Sequence, residues 1–332
     1  MSIKFHGVSN YGDPLTSDLL ETSVHLFMQN GFVNIGAFTN IRIPVGAYPS
    51  GIGSHSSPQY KLRSSRDLRY VSGRVWESAR SDWVWESGIE YDNQPIAISG
   101  VYINDVFIPK NTVGASGFII NYPEGKIIFN QAISISSNVK CEYSHRNVRI
   151  LSSDIPWFQT IQYDSFRSDD NQFQLKGSGG WDVLANNRIQ LPAIVLETIP
   201  SVSLSPYELG SISRVHRQDM LMHVLAETPW DRKQIHDIII NQWQKRFSGV
   251  NKQKLLLEQK YPLTFDGQIA PSGLNYDQIT NINNGYTWKL ISWDRVRSQE
   301  QIASPPMYRS TIRTTFCLSL IHISEPTRQA EI

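Results

Sequence analysis

Within PLTSDLLETSVHLFMQN, the apolar positions Leu20, Val24, Phe27 and Met28 recur at helical spacing. They predict a helix over 14–30, with Ser17 as N-cap and Gly31 as its stop. Residues 46–65 are rich in Gly, Ser and Pro and predict a loop. From Ile96 to Ile150 the pattern is β throughout. Phe118–Tyr122 and Lys126–Phe129 flank a turn at Pro123-Glu124-Gly125, and Val139, Cys141 and Tyr143 alternate with Lys140, Glu142 and Ser144.

The second half has a different rhythm. Arg188–Ile199 is apolar and β-branched, with Pro192 placing it at a sheet edge or strand start. SPYELG, Ser205–Gly210, predicts a turn, and Asp219–Glu227 a mostly buried strand. A helix follows over Pro229–Phe247, capped by Thr228, with Ile235, Ile238, Ile239 and Trp243 as its apolar stripe and Lys245 and Arg246 in its last turn. Strands are expected over Tyr286–Val296 and Met307–Phe316. In the latter, Tyr308, Ser310, Ile312, Thr314 and Phe316 share one face, while Arg309, Thr311, Arg313 and Thr315 make the other fully polar.

The resulting expectation is an α+β chain. An N-terminal helix and a small antiparallel β module fill 1–150, and a linker with a Gly-rich loop fills 151–187. An antiparallel sheet with one packed helix fills 188–317. The last stretch, Leu318–Ile332, has no clear period. Back-translated in one frame, Leu318–Arg328 resembles the mosaic end and read-through arm of a transposase-based sequencing adapter. Residues 318–332 are therefore expected to be translated library DNA, with the native chain continuing differently after about Phe316.

Charge narrows the function classes. Lys and Arg number 31 against 30 Asp and Glu, and setting aside the one Arg and two Glu of 318–332 leaves the balance at +2. Nothing in that balance calls for a specific nucleic-acid partner or an anionic membrane surface. No apolar run approaches the roughly 18 residues of a membrane span. Cys141 is the one cysteine outside the junction at Cys317, so neither a disulfide framework nor a cysteine-rich metal site is expected.

Candidate chemistry is sparse. His223 and Glu227 stand four apart, but on a strand they lie about 13 Å apart at ~3.3 Å per residue, so a structural histidine is the expectation and no metal site. Gly177-Ser178-Gly179-Gly180 lacks the Lys-Ser/Thr of a phosphate loop. Val-Trp-Glu-Ser occurs twice, at Val75–Ser78 and Val84–Ser87. Glu77 and Glu86, with Trp76, Trp83 and Trp85 to stack on sugar rings, could form the carboxylate pair a glycosidase needs at about 5–10 Å. Core or interface aromatics are the competing reading of those tryptophans. No catalytic residue and no cofactor are expected.

The segments NIGAF (Asn34–Phe38), GRVWES with DWVWESG, SGVYIND (Ser99–Asp105), INYPEGKIIF (Ile120–Phe129), RIQLPAIVLE (Arg188–Glu197) and YELG followed by HVLAETPWDRKQIHDII carry a resemblance. The chain is similar, over Met1–Phe316, to uncharacterised virion proteins of tailed bacteriophages. The order of elements in the second half resembles tail-terminator and head–tail joining proteins. The resemblance implies a non-enzymatic neck or tail subunit, assembled in the host cytoplasm and carried in the virion, that self-associates in a ring beside other virion proteins. Its candidate interface residues are Trp76, Trp83, Trp85, Tyr207, Trp230 and Trp243. The alternative is a glycan-binding or glycan-cleaving tail protein using 75–87.

Overall fold

The computed structural model describes residues 16–44, 59–65, 67–158, 189–206, 214–304 and 307–320. Among them the fold is α+β, as the sequence predicts. Helix α1 (Thr16–Asn34) comes first. The first-half strands are β1 (Phe38–Ile41), β2 (Lys61–Ser64), β3 (Val75–Glu77), β4 (Gly100–Ile103), β5 (Val106–Pro109), β6 (Phe118–Asn121), β7 (Lys126–Phe129), β8 (Val139–Cys141), β9 (Tyr143–Arg146) and β10 (Arg149–Ser152). The second half holds β11 (Ala193–Pro206), β12 (Arg214–Ala226), α2 (Pro229–Ile240), β13 (Arg246–Val250), α3 (Lys252–Leu257), α4 (Tyr276–Thr280), β14 (Thr287–Ser304) and β15 (Met307–Leu320).

Helix α1 passes through Gly31 instead of stopping there, because Phe32 and Val33 continue its buried stripe. It ends at Gly36, whose φ of 80° is the left-handed conformation of a C-terminal cap. Ala37 N donates to Phe32 O at 2.9 Å and Gly36 N to Val33 O. A Cβ at position 36 would meet the Tyr91 ring at 2.5 Å. Ser17 lies inside the helix, so it is not the cap.

Short antiparallel strands form the seven-stranded sheet β5-β4-β8-β2-β3-β7-β6. Leu62, Val101, Ile127, Phe129, Val139, Cys141 and Tyr143 fill its core with Trp76 and Trp83. The end of the expected loop over 46–65 is therefore strand β2. The β6–β7 hairpin pairs Asn121 with Lys126, so its loop is Tyr122–Gly125, one residue longer than the turn expected, with Gly125 at φ 63°.

The second sheet runs β10-β11-β12-β15-β14-β13. It corrects the expected organisation in three ways. Strand β10 pairs with β11 in parallel, so the sheet is mixed. Helix α1 packs on the same face as α2: Leu20, Val24, Met28 and Phe32 share one core with Ile235, Ile239, Met222, Trp293 and Phe316. A cut at 150 therefore divides the chain but not the core. Helix α2 ends at Ile240 with Asn241 as C-cap, seven residues short of Phe247, and 246–250 is a strand. Its N-terminus is as predicted, with Thr228 accepting from Asp231 N at 3.1 Å and Pro229 opening the helix.

Strand β15 alternates as the sequence dictates: Ser310, Ile312, Thr314, Phe316 and Leu318 are all fully buried. Pairing with β12 continues through Leu320. The rest of the adapter-like tail, 321–332, and the Gly-rich patch over 168–180 lie outside the described residues.

Candidate interface on the six-stranded sheet

The doubled Val-Trp-Glu-Ser motif turns inward. Trp76 lies 2 % exposed, and its indole N–H donates to Gly73 O at 3.0 Å. Trp83 has no exposed surface; it donates to Ser78 Oγ at 3.0 Å and stacks on Tyr143 at 4.7 Å between ring centroids. Trp85 is half-buried, with the Arg146 guanidinium 5.9 Å from its ring centroid. Trp76 and Trp83 are thus core residues and offer no ring to a partner or a sugar.

The two carboxylates are also engaged. Glu77 accepts from Arg63 Nε and from Ser65 Oγ, each at 2.9 Å. Glu86 is buried against Arg146, which also donates to Asp82 Oδ1 and Trp83 O at 3.0 Å each. Burial works against the Arg146 charge, but Glu86 and Asp82 outweigh it and hold its pKa above the ordinary value. Two acids already held by arginines are poorly placed to exchange protons with a substrate.

His223, as expected from a strand, does not meet Glu227. It faces Glu197 across the sheet at 2.7 Å and contacts Thr311 and Arg309. Among the described residues no group of three His, Cys, Asp or Glu is placed to hold a metal ion.

The remaining expected interface residues diverge. Tyr207 lies outside the described residues. Trp230 is 71 % exposed at the start of α2, and Trp243 is 56 % exposed just beyond its end. Trp243 leads to the feature that the sequence did not disclose. Strand β13 covers the outer side of β14 only over Thr287–Ser292, and two further contacts, Trp293 N to Lys245 O and Gln244 N to Trp293 O, each at 2.9 Å, extend it. The Trp243 indole then caps Asp294 O at 2.9 Å. From Arg295 to Ser304 the outer main chain of β14 has no strand neighbour among the described residues.

A groove of about 480 Å3 runs beside this edge, lined by Ile240, Trp243, Arg295, Val296 and Arg297. The opposite edge is also open: β10 covers β11 only over Ala193–Leu196, so residues 197–206 lack an outer neighbour among the described residues. Unpaired strand edges carry rows of N–H and C=O groups that another strand can satisfy. The sequence pattern predicts this strand only as far as Val296, so most of the part beyond the reach of β13 has no signal there.

Compared with known proteins, the chain matches no family model and no curated protein.

Proposed function

We propose that the chain is a structural virion protein of a tailed phage: a neck or tail subunit that forms a ring at head–tail joining or tail completion. It would be assembled in the host cytoplasm and carried in the virion. One observation carries this reading: a single sheet in which β11 and β14 each have a stretch without an outer neighbour among the described residues. Strands β11 and β14 run in opposite directions. The 197–206 edge of one copy can therefore continue the 295–304 edge of the next as an antiparallel pair. The covering strands lie at opposite ends of the two edges, so such a joint is staggered and neither β10 nor β13 stands in its way.

A contact between two different edges is heterologous, and repeating it gives a ring where the rotation closes and an open filament where it does not. Trp243 and Ile240 flank the joint with apolar surface of the kind that anchors interfaces. The sequence resemblance points the same way. Mass photometry of the full chain, with negative-stain imaging, is expected to give one closed ring of fixed stoichiometry. A monomer at every concentration, or open filaments of variable length, would overturn the reading.

A further inference from the structure

The face of the second sheet opposite α1 and α2 gathers arginines on a chain of nearly balanced charge. Arg297 on β14 lies directly opposite Arg313 on β15, and the next row pairs Arg295 with Thr315. Like charges in directly opposed positions repel, and a sheet chosen for stability alone would alternate their signs. Two acids partly offset them: Asp219 accepts from Arg313 Nε at 3.0 Å and from Thr315 Oγ1 at 2.6 Å, and Asp294 lies 3.6 Å from Arg217 Nε. Asp219 also lines the concavity and feels the charge of Arg295. Arg295 and Arg297 are exposed and make no salt bridge among the described residues. These side chains, with Arg217 from β12 and the Ser298 hydroxyl, line a concavity of about 620 Å3.

From this geometry we infer an oxyanion site of phosphate type, in which Arg295, Arg297 and Arg313 together hold a multiply charged phosphate group. The planar guanidinium forks of Arg295 and Arg297 can meet phosphate oxygens bidentately, while Arg313, whose Nε and Nη2 already donate to Asp219, adds its Nη1 and its charge. The Ser298 hydroxyl adds a neutral group to the lining, whereas the Thr315 hydroxyl is already donated to Asp219. The floor is a rigid sheet, so the arginine stems start from fixed positions. The same chemistry could come from a free polyphosphate or from the phosphodiester backbone of a nucleic acid read without regard to sequence. The inference rests on side chains on a face of the sheet; Arg295 and Arg297 also belong to the β14 stretch that the joint would pair, so ring formation and phosphate binding are read separately, by mass photometry and by the unfolding midpoint.

The test is thermal unfolding of the full chain with and without tripolyphosphate at matched ionic strength, alongside anisotropy with a labelled oligonucleotide. A ligand that binds only the folded state raises the unfolding midpoint. Tripolyphosphate is expected to raise it in the native chain and to have no effect in R295E/R297E. Arg297→Thr alone, a milder change that removes the like-charge pair, is expected to leave the ligand-free midpoint unchanged or higher while weakening binding at least about tenfold. Oligonucleotide binding that tripolyphosphate displaces would support the site and name the phosphodiester as its source. Tripolyphosphate binding without oligonucleotide binding would support it and name a free polyphosphate. A midpoint shift that survives R295E/R297E, or no binding of either probe by the native chain, would overturn it.

Discussion

Arg146 shows how one residue ties the first half together. It has 1 % of its side chain exposed and meets Asp82 and Glu86, themselves nearly covered. A buried ion pair contributes little beyond an apolar replacement, but losing one partner strands the other charge. Arg146→Met is therefore expected to cost about 3–5 kcal/mol in urea unfolding. Adding Glu86→Gln should recover part of that loss by removing one of the two stranded charges. A single-variant cost below about 1 kcal/mol, the range of exposed pairs, would contradict the burial of this network. None of this was legible in the sequence. Glu86 looked like a catalytic carboxylate because the motif shows the residue type, whereas its partner lies 60 residues away on β9.

At the scale of elements, β9 is covered on both sides: β1 pairs with it, Trp83 bridges to His145, and all four of its residues are buried. Burial is the main cause that lowers the His145 pKa from 6.5 to about 4. The unfolded chain takes up a proton near pH 6.5, whereas the folded chain refuses it until about pH 4. Stability is then constant above that window and falls as pH drops through it, by up to about 3 kcal/mol at 1.36 kcal/mol per unit. His25, also lowered by burial, adds in the same direction. Urea midpoints measured between pH 7 and 4 should fall in the native chain and fall less in His145→Asn; equal slopes would contradict a neutral buried imidazole.

Elements with one strong period were readable in advance. The β15 alternation, the α2 start at Thr228 and the strands between Ile96 and Ile150 follow from spacing and caps. Boundaries that depend on tertiary partners were not. Gly31 lies inside α1 because the residues after it are buried. Helix α2 stops before Trp243 because Phe247 and Val250 are needed in β13, where both are buried. The placement of α1 and β10 on the second core also had no local signature, since it depends on contacts across more than 100 residues of sequence.

For the whole molecule, we propose that copies join through the stretches of β11 and β14 that have no outer neighbour among the described residues. Exposed, charged edges resist casual pairing; β14 carries Arg295 and Arg297 there, and β11 has a register shift between Thr198 and Val202. Hydrogen exchange tests this most directly. Outward-facing amides of β14 over 295–304 and of β11 over 197–206 should exchange quickly at low concentration and slowly once the assembly forms, in step with each other. The surface of the seven-stranded sheet should not change. Protection confined to other surfaces, or edge amides that exchange equally fast in the assembled and dilute states, would contradict the account.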